Sequence, residues 1–409
     1  MEKQTNIPTL RFPEFKGEWE KKKLGEVVEF KVTNSFSREN LNYENGTVKN
    51  IHYGDIHTKF QTLFDITKEQ VPFVNEEMNV NRIAEDFYCK EGDLVFADAS
   101  EDLNDVGKSI EIVNLNGEKI ISGLHTLLAR PKESIFSKGF NGYLFKSNSV
   151  RLQIQKEAQG SKVLSINVGR ISTINLSFPT LPEQTKIAEF FTAIDTKIQA
   201  LKTKKKKLQQ YKKGVMQQLF SQELMFKDEN GKEFPKWEKK KVKDIFEVTR
   251  GSVLSMTLVN EKPNEIYLFP VYSSQTKNNG LAGYYKDFLF ENCITWTTDG
   301  AGAGDVNFRT GKFYCTNVCG VLKSDNGYAN TFIAELLNSI SRKHVSYVGN
   351  PKLMNNVMAE IEILIPTSIE EQSKIANFLS SIDEKITHTE TQIQQTQTWK
   401  KGLLQKMFV

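Results

Sequence analysis

Apolar residues step by four and three along residues 187–219. Ile187, Phe191, Ile194, Ile198, Leu201, Leu208, Val215 and Leu219 fall on that stripe. It returns 188 positions later in Ile375, Leu379, Ile382, Ile386, Ile393, Leu403 and Met407. A 3.5-residue apolar repeat predicts a long helix with one buried seam, as in a coiled coil. Lys205, Lys212, Thr389, Thr396 and Lys400 interrupt the stripe, which predicts an imperfect seam. Two matched stripes in one chain favour pairing with each other; a long helix lying on its own domain fits the same pattern. At 1.5 Å per residue, about 39 residues give each helix a length of about 58 Å. Pro179, Pro182 and Pro366 disfavour helix before them, and Thr180 or Thr367 could cap the starts. Gly214 and Gly402 recur near the far ends, predicting a close backbone approach or a kink, with a fraying end as the alternative.

The segments between the stripes have a different rhythm. EGDLVFADAS (91–100), KSIEIVNLNGEKIIS (108–122), TLLARP (126–131), IYLFPVYSS (266–274), CITWTTDG (293–300) and KFYCTNVCGVL (312–322) read as strands. FIAELLNSIS (332–341) and the region 141–158 read as helical. ISTINLSFP (171–179) and MAEIEILIP (358–366) are strands that enter a proline. The opening of each half is also repeated, WEKKKLGEVVEF from Trp19 against WEKKKVKDIFEV from Trp237. Trp19 to Ile187 spans 168 positions and Trp237 to Ile375 spans 138, so the middles differ by 30 residues. Like heads and tails around unlike middles predict a common scaffold with different readouts. The boundaries fall at residues 1–178, 179–222, 223–365 and 366–409.

Composition narrows the class. With 39% hydrophobic and 25% charged residues, the chain can bury ordinary cores. No segment has the length and apolarity of a membrane helix, and the opening lacks a signal pattern, so a cytoplasmic protein without membrane contact is expected. Cys89, Cys293, Cys315 and Cys319 do not form a disulfide framework; Cys315 and Cys319 are expected to share one face of a strand, in a buried structural role. The net charge of +4 is uneven: residues 182–220 carry +6, residues 369–408 carry 0, and the remainder carries −2. That permits nucleic-acid binding without demanding it. The lysine run 202–207 reads mainly as a solvated helix face.

No motif for catalysis stands out. GAGAGD (300–305) is followed by strand-like residues instead of the helix a dinucleotide fingerprint needs, so a turn is expected. There is no P-loop, no N/D-P-P-Y/F, no G-x-S-x-G and no H-E-x-x-H. Asp93 and Asp98 are expected at solvated or capping positions. The chain therefore reads as a recognition protein and not an enzyme. Amides, hydroxyls and cations cluster in three loops. They supply Lys162, Ser165, Asn167 and Arg170; Ser273, Ser274, Gln275, Lys277, Asn278 and Asn279; and Lys352 and Asn355. Such groups match base edges and phosphates, although they also suit ordinary solvated turns.

The repeated P-x-x-x-E-Q-x-K-I-A-x-F-x-x-x-I-D-x-K-I block resembles the conserved regions of type I restriction–modification specificity subunits. The W-E-x-x-x-L-x-E-V opening, Y-G-D-I (53–56), E-G-D-L-V (91–95) and D-G-A-G-A-G-D-V (299–306) are similar to that family too. The resemblance implies an α+β chain. Two α/β target recognition domains would be separated by a long antiparallel two-helix coiled coil with pseudo-twofold symmetry. Each domain would read one half of a split, asymmetric double-stranded DNA site, and the helix pair would space them across an unread gap. Two modification (methyltransferase) subunits and two restriction (motor-nuclease) subunits would dock on the scaffold. S-adenosylmethionine, ATP and Mg would reside on those partners, with no cofactor, metal or catalytic residue in this chain. A stand-alone duplicated DNA-binding protein, such as a repressor, is the alternative.

Overall fold

The computed structural model describes residues 6–132 and 135–409. The chain divides into two compact units, Met1–Leu201 with Gln392–Val409, and Lys202–Thr391. The two long helices, Leu181–Phe220 and Ile369–Met407, each contribute one half to either unit.

The first unit is built on a five-stranded sheet. Its order is Val28–Lys31, Thr126–Pro131, Leu94–Ala97, Ser109–Asn114 and Leu63–Asp65. All neighbours are antiparallel except the last pair. The central run Leu94–Ala97 is buried on both faces, which is why it reads as continuously apolar. The helix Tyr53–Thr58 lies across this strand, and a four-stranded sheet of Ile120–Ser122, Lys49–Ile51, Phe73–Val74 and Leu41–Asn42 stands beside it. The expected strand 108–122 is thus two strands, broken by a turn where Asn116 and Gly117 take positive φ. Asp93 corrects the solvated expectation: it is buried, both its oxygens accept from Arg130 at 2.9 and 2.8 Å, and Oδ2 also caps the turn by accepting from Lys90 N at 2.8 Å.

In this unit Ile187, Phe191, Ile194 and Ile198 form one cluster with Leu403 and Met407 and with the domain residues Trp19, Leu24 and Tyr143. The two helix segments run antiparallel, since Phe191 meets Phe408 and Asp195 meets Lys400. The stripe therefore serves both expectations, pairing with the other helix and packing on its own domain. Lys400 does not weaken the seam; its Nζ lies 2.6 and 2.8 Å from the Asp195 oxygens. Thr396 is buried and returns its hydroxyl to Gln392 O.

The second unit repeats the sheet as Glu247–Arg250, Cys319–Lys323, Phe290–Thr297, Val306–Cys315 and Phe269–Tyr272, again with one parallel pair at the last position. Leu281–Tyr285 is added at the edge, and there is no counterpart of the four-stranded sheet among the described residues. That missing layer accounts for the shorter middle. Cys315 and Cys319 do not share a strand as expected: one ends a strand, the other begins the next, and a turn at 316–318 separates them. All four cysteines are free and buried.

The helix segments of this unit are also antiparallel, with Lys205 2.5 Å from Glu390 and Lys212 2.8 Å from Asp383. Lys212–Asp383 is the Asp195–Lys400 pair repeated at the 188-residue offset, with donor and acceptor exchanged between the helices. Val215, Leu219, Ile375 and Leu379 join the domain core; Thr389 is fully buried and bonds back to Lys385 O. Leu201, Leu208 and Ile386 are half-buried, while Ile382 and Ile393 are buried. Ser368, not Thr367, caps the second helix by accepting from Glu371 N. Gly214 and Gly402 correct another expectation: a Cβ at either would meet nothing within 4 Å, so no close approach exists there.

Candidate nucleic-acid interface

Three segments meet at one edge of the second unit. The loop 273–280 links Phe269–Tyr272 to Leu281–Tyr285, and the loop 298–305 follows Phe290–Thr297. The third is the hairpin closed by Ser346 and Lys352, whose backbones exchange bonds of 2.8 and 2.9 Å. Leu353 N donates to Thr298 O at 2.9 Å and Gly300 N to Pro351 O at 3.0 Å, fixing hairpin to loop. At Gly302 a Cβ would sit 3.6 Å from Ser274 O, which shows how closely the first two loops approach. GAGAGD is the expected turn, and strand Val306–Cys315 follows it.

The sequence-selected residues sort clearly here. Lys277, Asn278 and Asn279 are exposed, and both asparagines hold φ of 51°, a left-handed conformation asparagine tolerates. Gln275 is exposed, with its amide nitrogen donating to Leu281 O, and Ser274 is half-buried. Ser273 accepts from the Thr316 hydroxyl at 2.9 Å. Lys352 is half-exposed, 3.9 Å from Asp299. Asn355 is set back inside Asn355–Glu360 and donates to Thr249 O.

The first unit repeats the hairpin and its tie to the loop after the central strand. The hairpin closed by Gln159 and Ser165 exchanges backbone bonds of 2.9 and 2.7 Å, and Ile166 N donates to Asp98 O at 2.8 Å. Lys162 and Ser165 are exposed at this hairpin. Asn167 instead caps the short helix Val168–Ile171 by accepting from Arg170 N, and Arg170 lies 3.3 Å from Glu157. The two hairpins, found at matching places in the sequence, are therefore matching parts of the fold.

Beside the first hairpin lies a group that loop composition did not reveal. The Tyr53 ring packs against His52, His57 and His125 at centroid distances of 4.6, 6.0 and 5.4 Å. His125 Nδ1 is 3.2 Å from Asp98 Oδ1, and His57 Nε2 is 3.0 Å from Ala99 O. Burial raises the Asp98 carboxyl above its ordinary range, more than His125 lowers it. Burial and then the Arg38 charge push His52 down to about 4, so it is neutral and its Nδ1 accepts from Gly54 N. The Y-G-D-I block was the available signal: Asp55 is buried and paired with Arg38 and Lys59, which fixes this helix over the sheet. Both edges thus offer donors and acceptors, and the first adds ring faces, the groups that contact bases and phosphates. No group of three or more His, Cys, Asp or Glu placed to hold a metal occurs among the described residues. No helix among them is long and apolar enough to cross a membrane.

Two like sheets bearing unlike loop edges define a duplicated recognition protein. The chain belongs to the family described as the type I restriction modification DNA specificity domain, which it matches over residues 16–210 and again over 235–397. A protein named as a type I specificity subunit of Mycoplasma pneumoniae is 36% identical over 219 residues, covering 53% of this chain and 84% of the relative. One of Methanocaldococcus jannaschii is 23% identical across 98% of this chain and 95% of its own length. The crystal structure of an S subunit from M. genitalium has the same fold, with a TM-score of 0.62 at 15% identity, covering 98% of this chain and 99% of that one. The family is the specificity component of such systems, not the catalytic one.

Proposed function

We propose that the chain reads a two-part, asymmetric DNA site, one part per unit, within a type I restriction–modification complex. One observation carries this reading: two like sheets present a loop and a hairpin at matched places with unlike side chains. Like scaffolds suit identical partners, and unlike edges suit unlike half-sites. The repeated heads and tails would accordingly dock two methyltransferase subunits, and two motor-nuclease subunits would complete the assembly. In this reading S-adenosylmethionine, ATP and Mg²⁺ belong to those partners, and this chain contributes recognition alone. A solved type I system described in terms of complex assembly shares the fold, with a TM-score of 0.55.

Exchanging residues 31–170 for the matching segment of a relative tests the proposal. Methylome sequencing should show one half of the modified motif changed and the other kept. A change in both halves, or in neither, defeats modular reading.

A further inference from the structure

The repeat supplies an internal control for one unusual residue, Arg309. The two sheets can be aligned by their hydrogen bonds. Ala97 N donates to Lys108 O and Gly107 N to Ala97 O, both at 2.8 Å; Thr297 N donates to Asp305 O at 3.0 Å and Gly304 N to Thr297 O at 2.9 Å. Val95 opposes Ile110 as Thr295 opposes Asn307. Counting along the strands, Val95, Ala97, Ile110 and Ile112 of the first unit correspond to Thr295, Thr297, Asn307 and Arg309 of the second. The first four are fully buried aliphatics. The fold therefore does not require polar groups on this face, still less a cation.

Arg309 is 9% exposed, and none of the described carboxylates pairs with it. Its Nε donates to Thr295 Oγ1 at 3.0 Å, its Nη2 to Asn279 O at 2.7 Å, and its guanidinium lies 3.7 Å over the Tyr272 ring. Removing a guanidinium from water without a counter-charge is costly, and the aliphatic alternative stands in the same chain. Arg309 borders a recess of about 170 Å³ whose walls include Gln275, Asn279, Asp305 and Asn307. One oxygen of Asp305 is already held by Arg342 at 2.5 Å. A carboxylate and several amides in the wall make this a poor phosphate site. The mixture of a cationic fork with acceptors suits a base pair presenting both acceptors and a donor. In the major groove that is G·C: guanine offers O6 and N7 to an arginine, and cytosine offers its N4 amino group to a carboxylate or amide oxygen.

We infer that this recess reads one G·C pair, with Arg309 donating to guanine and Asp305 or Asn307 accepting from cytosine. The inference rests on the proposed DNA-reading function and assigns it a residue and a base. The loop 273–280 forms one wall, which joins the sequence-selected residues Gln275 and Asn279 to a buried partner that loop composition alone could not show.

The test is methylome sequencing of cells carrying the complete complex with Arg309→Lys or Arg309→Ile. The isoleucine is the residue the first unit uses at this place. The lysine keeps the charge and loses the bidentate fork. In both variants, one G·C position should lose its preference by about ten- to a hundred-fold. That position should lie in the half-site left unchanged by the 31–170 exchange, and every other position should hold. A motif left whole by Arg309→Lys overturns the inference while the two-part reading stands. A uniform loss of modification across all sequences, with normal thermal stability, identifies a phosphate contact and also overturns it. A wild-type complex yielding no two-part motif overturns the parent reading and this one together.

Discussion

The first and second units treat the same structural positions in opposite ways. The glutamate at the start of each long helix is buried, Glu183 in the first and Glu371 in the second. Glu183 receives a bidentate arginine, Arg11, at 2.8 and 2.7 Å. Among the described residues, Glu371 receives only the Trp237 indole N–H, at 3.1 Å, and its other oxygen is buried with no hydrogen-bond partner. In the first unit it is the corresponding indole, Trp19 Nε1, that lacks a partner among the described residues. The sheet face shows the same divergence, aliphatic under the Tyr53–Thr58 helix and polar around Arg309. The backbone plan and apolar seam tolerate little variation, whereas the polar partners are replaceable, because each is a local electrostatic solution.

The seam gives the largest test of that distinction. Ile194→Asp and Ile382→Asp should each destabilise by on the order of 5 kcal/mol, combining lost apolar burial with desolvation of a carboxyl group. Equal losses in thermal melts would mark the seam as truly shared. Full stability of either variant, with normal partner binding, removes that residue from it.

The buried glutamates should respond unequally. Arg11→Ala leaves Glu183 buried and unpaired, at a cost of about 3 kcal/mol. Glu371→Gln keeps an acceptor for Trp237 and should be neutral or stabilising. Burial raises Glu371 above the ordinary glutamate value, more than the Trp237 bond lowers it. The folded second unit thus holds that proton more tightly than the unfolded chain does. Its contribution is present at low pH and lost as pH rises above the ordinary glutamate range. Melting across that range should show a decline that Glu371→Gln removes; an equal pH response in wild type and variant counts against the unpaired carboxyl.

The smallest effect belongs to the matched glycines. Gly214→Ala and Gly402→Ala should each stabilise by about 0.5–1 kcal/mol, since a methyl group meets nothing at either place. A loss at one site alone would reveal a contact that the other unit lacks.

What the sequence made legible follows physical range. Thr126–Pro131 is a strand where TLLARP predicts one, and the helices begin soon after Pro179 and Pro366, with Pro182 inside the first turn, because alternation and proline sterics act locally. The seam was readable because the period repeats over many turns. Asp93 was misjudged because its partner, Arg130, lies on a neighbouring strand of the sheet. Arg11 and Glu183 lie 172 positions apart, and nothing in either segment alone announces the pair. Arg309 sits in VNFRTGKFYC, which reads as strand-like and is one strand; only the alignment of two folded sheets shows the arginine replacing an isoleucine.

The exchanged pairs Asp195–Lys400 and Lys212–Asp383 also bear on inheritance. Each tail carries both halves of the complementarity, an aspartate near its start and a lysine near its end. A genetic crossover within the repeated heads and tails can replace an entire middle, while the new chain still meets the other tail with the same aspartate and lysine. Stretches that hold the helices together would thereby serve as silent joints for recombination. Under the proposed two-part reading, one such event would give a lineage a new half-site.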